Sequence, residues 1–152
     1  VHERVREALR REGFALPEPA KPLAAYIPAV RSGSLAMSSG QLPTKDGELL
    51  YRGKVPVDIP LEDAQAAARL AAVNALAALS GVVDLDEIRR VVRVGVFVQS
   101  DAGFHEQHKV ANGASELLGA VLGDAGVHAR SAIGVIALPL DAAIEVEVLV
   151  SL

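Results

Sequence analysis

The sequence predicts an α+β fold in which two long helices lie on one face of a mixed β-sheet. Three observations point to it. Apolar residues recur at helical spacing from Pro60 to Leu79 and from Lys109 to Leu122, with Gly81 and Gly123 as stops. The run Val91-Val92-Arg93-Val94-Gly95-Val96-Phe97-Val98 is rich in β-branched residues and apolar on nearly both faces, which predicts a central strand. Ile144 to Leu152 reads as a last strand that carries Glu145 and Glu147 on one face.

A chain of 152 residues fits one domain, read as an N-terminal helix and proline-rich connector (1–24) followed by a core (25–152). Apolar residues make up 51% of the chain and aromatic residues only 3%, so Ala, Val, Leu and Ile must fill the core and let helix and sheet approach closely. The formal charge of −4, with basic residues scattered, lacks the footprint of a nucleic-acid binder. With no Cys, disulfides, thiolate metal sites and thiol nucleophiles are excluded. The segment from Val1 to Arg6 is too charged for a signal peptide. Ala64 to Val83 is long enough to span a bilayer, but it is mostly Ala, and Arg69 would cost about 2.5 kcal/mol or more near the membrane centre. A cytoplasmic protein with no membrane partner is expected.

Val1 to Arg11 spaces Val5, Ala8 and Leu9 as a short amphipathic helix that stops near Gly13. Leu16 to Leu23 contains Pro17, Pro19 and Pro22 and predicts an extended connector. Tyr26 to Arg31 and Ser34 to Ser39 flank Ser32-Gly33 as a hairpin, and Gly47 marks a further turn before a brief strand over Leu49 to Tyr51. Pro60 suits a first helical turn, and Glu62 and Asp63 complement its positive end. Gln65, Arg69 and Ser80 leave that helix only a narrow wet face, so it should be buried on most sides. Asp84 to Glu87 reads as a capped single turn, Gly103 to His108 as a polar loop, and Gly113 as a weak spot in the second long helix. The last two strands, one opening at Ala129-Arg130-Ser131 and the other at Ile144, are expected to form a hairpin through Leu138-Pro139-Leu140-Asp141. Helices on one face leave the other uncovered, and a cyclic assembly of copies would bury it.

No phosphate loop, dinucleotide fingerprint, zinc-protease motif or nucleophile elbow occurs. Of four histidines, His105 and His108 are three apart, but no third ligand is visible nearby; a polar loop is the preferred reading and no metal is assigned. Arg130 offers a planar fork of donors that matches a carboxylate, although an arginine at a strand end also suits an interface ion pair. Glu145, set in an apolar strand, has the surroundings that push a carboxylate toward proton transfer.

Three blocks, Ser39-Gly40-Gln41-Leu42-Pro43, Ala129-Arg130-Ser131 and Ile144-Glu145-Val146-Glu147, occur in this order and resemble the RidA (YjgF-like) family of enamine/imine deaminases. The likeness runs from about Tyr26 onward. It implies a chorismate-mutase-like fold, a homotrimer and ligand sites between subunits. By that resemblance Arg130 grips a substrate carboxylate and Glu145 positions or activates water, while Ser39, Gly40, Ser131 and the carbonyl of Ala132 line the pocket. Tyr26 and Asn112 match pocket positions too, though Tyr26 equally suits an ordinary hairpin aromatic and Asn112 a helix cap. Ala132 stands where the family often has Cys, Ser100 to Ala111 is longer than the family pattern, and the N-terminal helix and connector are additions, which suggests a divergent subgroup.

The expected function is hydrolysis of small 2-imino or enamine acids to 2-keto acids and ammonia, with no metal or organic cofactor. Its rivals are a non-catalytic trimer that binds small carboxylate metabolites and, against the acidic composition, an endoribonuclease.

Overall fold

The computed structural model describes residues 1–21 and 25–152. Pro22 and Leu23 at the end of the predicted connector, and the division placed after residue 24, lie outside the described residues. Glu3–Arg11 forms α1, which buries Val5 and Leu9 one turn apart. Its amino end is held by carboxylates, as the backbone N–H groups of His2, Arg4 and Val5 donate to Asp84 and Asp86 at 2.9–3.0 Å. Asp84 also caps its own predicted turn by accepting from the Asp86 N–H. Residues 14–21 contain no helix or strand.

Ala29–Ser32 (β1) and Leu35–Ser38 (β2) pair antiparallel around Gly33, whose φ of 61° suits a tight turn. Thr44–Lys45 (β3) and Glu48–Leu49 (β4) form a second, very short hairpin in which Asp46 and Gly47 both have positive φ, so the strand after the turn starts one residue earlier than predicted. Leu61–Ser80 (α2) is buried around most of its circumference. Arg90–Gln99 (β5) is followed by Gln107–Leu122 (α3), Ala129–Val135 (β6) and Ile144–Ser151 (β7). Among the described residues no helix is long and apolar enough to cross a membrane.

The main sheet has the order β1-β2-β7-β5-β6; β5 and β6 are parallel and every other pair is antiparallel. Strand β5 thus has a partner on each side, as its apolar faces predict. The expected terminal hairpin does not form, because β5 lies between β6 and β7. Strand β6 returns from α3 as the second half of a β–α–β unit, and such a crossover lays its strand parallel to the first. The turn through Leu138 to Asp141 then spans two strand positions. Leu140 and Asp141 both adopt positive φ there, and the buried Gln99 side chain ties the turn to the core by donating to Asp141 and Gly53 and accepting from the Leu138 N–H.

The pleat sends Val91, Val94, Val96 and Val98 of β5, with Ile144, Val146, Val148 and Val150 of β7, into the core under α2 and α3. The opposite face presents Val30, Leu35, Met37 and Ile133 to solvent, together with Glu145 and Glu147. Gly113 has a purpose the sequence reading missed. A Cβ there would stand 2.1 Å from the Gln65 carbonyl oxygen, so the glycine lets the backbones of α2 and α3 approach.

Candidate ligand-binding site

Arg130 sits beside Val94 in the β5–β6 register and therefore shares the helix-covered side of the sheet, at its outer strand. Asn112 and Ser115, three apart on one side of α3, meet it there. Nη1 donates to Asn112 Oδ1 at 2.9 Å and to Ser115 Oγ at 3.0 Å, and Nη2 donates to the His108 carbonyl at 3.1 Å. All three acceptors are neutral. Among the described residues Arg130 makes no ion pair, unlike Arg69 and Arg93, which pair with Glu12 and Glu147. Of the five guanidinium N–H groups, Nε–H and the second on Nη2 have no acceptor among the described residues, two donors on adjacent nitrogens. A fixed, uncompensated fork of this kind suits a carboxylate.

His128 extends the cluster. Its Nδ1 lies 2.6 Å from the Gly126 carbonyl, which can only accept, so Nδ1 carries the hydrogen; in the neutral ring Nε2 then accepts from the Ser115 hydroxyl at 2.8 Å. Ala132 is half-buried and lies on the same side of β6, two residues beyond Arg130. Ser131 points to the opposite side, in register with Gly95 and Glu147.

Glu145 belongs to that opposite face. It lies between the buried Ile144 and Val146, in register with Phe97 and, across β5, Ile133. The segment after β2 runs beside it because Gln41 exchanges backbone hydrogen bonds with Val146 at 2.8 and 2.9 Å. Gly40 is needed for this approach, since a Cβ would stand 2.1 Å from Glu145 Oε1. Burial, and then the neighbouring Glu147 carboxylate, hold the Glu145 carboxyl above its ordinary range. Glu147 itself pairs with Arg93 at 3.0 Å. Ser39 uses its hydroxyl to donate to the Ile27 carbonyl and its N–H to donate to that of Pro28, which fixes the stretch carrying the exposed Tyr26.

The predicted residues thus fall into two groups within one chain. Arg130, Asn112 and Ala132 lie together on the helix side, whereas Tyr26, Ser39, Gly40 and Glu145 cluster around the far end of β2 and β7. Arg130 and Glu145 project from opposite faces, with β5 between their strands. His105 and His108 are exposed, and His108 contributes only its carbonyl. Among the described residues no three His, Asp or Glu side chains gather as a metal site. Ser115 and His128 were not predicted as site residues. Their spacing held a signal, because Ser115 is three residues past Asn112 on a helix and His128 two before Arg130 on a strand. A cleft of about 610 Å³ between α2, the connector and the β3–β4 hairpin contains none of the Arg130 cluster or Glu145.

Residues 6–152 match the model of the family described as "YjgF/chorismate_mutase-like, putative endoribonuclease". The chain therefore belongs to the YjgF-like (RidA) family and has its chorismate-mutase-like α+β fold. It is 42% identical to Protein TCP17 of Trypanosoma cruzi over 151 residues, covering 98% of this chain and 94% of the relative. It superposes with a TM-score of 0.93 on the crystal structure of Atu1372 from Agrobacterium tumefaciens, at 41% identity and with 99% and 94% of the two chains covered. The YjgF gene product of E. coli matches with a TM-score of 0.61 at 27% identity, over 88% of this chain and 92% of that one.

Proposed function

We propose that this chain hydrolyses small 2-imino acids and their enamine tautomers to 2-keto acids and ammonia, at sites assembled between copies of a homotrimer. The observation that carries this reading is the Arg130 fork, held by three neutral acceptors and, among the described residues, left with two donors and no counter-charge. A substrate carboxylate supplies both the missing acceptors and the missing charge. Glu145 cannot meet that substrate from its own chain, because it leaves the other face of the sheet. In a ring of three each contact joins two different patches, so the open face of one copy, with Glu145, would pack on the β6 edge of the next, which carries Arg130, and would cover Val30, Leu35, Met37 and Ile133.

In the reaction, water adds through its oxygen to C2 of the imine while Glu145 takes a proton from the water and delivers it to nitrogen. Glu145 then takes the remaining hydroxyl proton and passes it to the amine nitrogen, so the C2–N bond breaks with ammonia as the leaving group while the C2 carbonyl forms. A carboxyl held above its ordinary range is suited to carrying a proton both ways. The imine carbon is already electrophilic, so the balance needs no metal or organic cofactor. Tyr26, Ser39 and the Gly40 backbone form the wall around Glu145, on whose side of the sheet Ser131 also points; Asn112 and the Ala132 carbonyl form the wall around Arg130.

The test is ammonia release from freshly generated 2-iminopropanoate. Arg130→Ala is expected to lower kcat/KM by about a hundredfold, the scale of a charge-assisted pair; equal acceleration by both proteins removes Arg130 from the site. A second reading, a non-catalytic binder of small carboxylates, is favoured by the completeness of the Arg130 cluster within one chain. Glu145→Gln separates the two, since a deaminase loses turnover and keeps affinity, whereas a binder keeps its function. Endoribonuclease activity, named in the family description, is disfavoured by the net charge of −4.

A further inference from the structure

We infer that Ser115 and His128 are positioning residues that aim the Arg130 fork, a role that rests on the carboxylate-binding reading above. Hydrogen-bond direction links the three side chains. The Gly126 carbonyl compels Nδ1 of the neutral His128 to be the protonated nitrogen, so Nε2 accepts. A serine hydroxyl has one hydrogen, and Nε2 takes it at 2.8 Å. The oxygen of Ser115 is thereby left to present lone pairs alone, and Arg130 Nη1 donates to it at 3.0 Å. Without His128 the hydroxyl is free to rotate its hydrogen toward the guanidinium, where it repels rather than accepts.

The consequence for Arg130 is geometric. Nη1 has two hydrogens, and Asn112 and Ser115 take both; the His108 carbonyl takes one from Nη2. Three fixed bonds to a planar group determine its plane and its rotation within that plane, and the outward donors point where the remaining geometry sends them. Loss of the Ser115 acceptor leaves the Asn112 amide, itself a rotatable side chain, as the sole partner of Nη1. His128 thus acts on a ligand it does not touch, through Ser115 and then Arg130. Both side chains are only partly buried, so their removal opens no core cavity.

The experiment measures pyruvate binding by titration calorimetry, which needs no turnover, alongside steady-state deaminase kinetics. Ser115→Ala is expected to weaken pyruvate binding about fivefold to tenfold, the scale of one directed hydrogen bond, and to raise KM by a similar factor with kcat little changed. Ser115→Thr, which keeps the hydroxyl, is expected to bind within about twofold of the parent protein. His128→Ala is expected to weaken binding in the parent protein and to add nothing in a Ser115→Ala background, because a residue acting only through Ser115 has no effect once Ser115 is gone. Affinity unchanged in both single variants overturns the inference, as does a full additional loss from His128→Ala in the Ser115→Ala background. Arg130→Ala is measured beside them. Should it bind pyruvate as well as the parent protein, the underlying carboxylate site fails and takes the relay with it.

Discussion

On its helix-covered side the sheet holds Arg130 with three neutral oxygens, while on its open side Glu145 is raised by burial and then by a second carboxylate. The first arrangement fixes a permanent charge in place and leaves it uncompensated, which favours an anionic ligand. The second holds a carboxyl above its ordinary range, which favours proton transfer. The two side chains are therefore held by separate surroundings, and strand parity keeps them apart within one chain.

Two glycines separate the two sides most clearly, because each admits no Cβ, at the same separation of 2.1 Å but for different reasons. At Gly113 the obstacle is the backbone of Gln65, which cannot move without parting α2 from α3. Gly113→Ala is expected to cost about 3 kcal/mol, at the upper end of overpacking penalties, read from urea unfolding. At Gly40 the obstacle is the far end of the Glu145 side chain, which can swing away. Gly40→Ala is expected to fold with stability within about 1 kcal/mol of the parent and to lose about tenfold to a hundredfold in kcat, as misplacement of a proton carrier does. A destabilised but fully active Gly40→Ala protein would remove Glu145 from the reaction.

The pH dependence gives a smaller effect. Burial is the larger cause of the raised Glu145 pKa and Glu147 the lesser one. Glu147→Gln removes only the lesser cause, so the limb of the kcat profile that reports Glu145 should move to lower pH and remain above that of a solvated carboxylate. The sign for stability follows from the same shift. A folded pKa above the unfolded one means the folded chain binds the proton more tightly, so this contribution is present below the unfolded pKa and is lost as pH rises through the folded one. Glu145→Gln should accordingly be at least as stable as the parent at neutral pH, measured by thermal unfolding, while lacking turnover.

Much of this was legible in the residues. The Ala-rich period of α2, the β-branched run of β5 and the alternation of β7 each expressed a local physical preference that the fold obeys. Arg130 and Glu145 stood out as a lone cation and an acid in apolar strands. Their placement on opposite faces was not legible, because it depends on β5 entering between β6 and β7, a long-range pairing, while the Pro139 turn locally suggested a hairpin. Gly113 looked like a helix defect because the chain it accommodates, the backbone of Gln65, is remote in sequence. Ser115 and His128 had the right spacing, but their hydrogen-bond directions depend on the Gly126 carbonyl, which leaves no trace in the sequence.

Whether Arg130 of one copy works with Glu145 of another is decided by mixing two inactive variants. Arg130→Ala and Glu145→Gln are unfolded together in equal amounts, refolded, and assayed for ammonia release from 2-iminopropanoate, with formation of mixed oligomers checked by mass. Random assembly gives about a quarter of the interfaces an intact Arg130 and an intact Glu145, so activity should return to about a quarter of the parent's. Mixed oligomers that stay inactive would show that Arg130 and Glu145 do not meet across an interface.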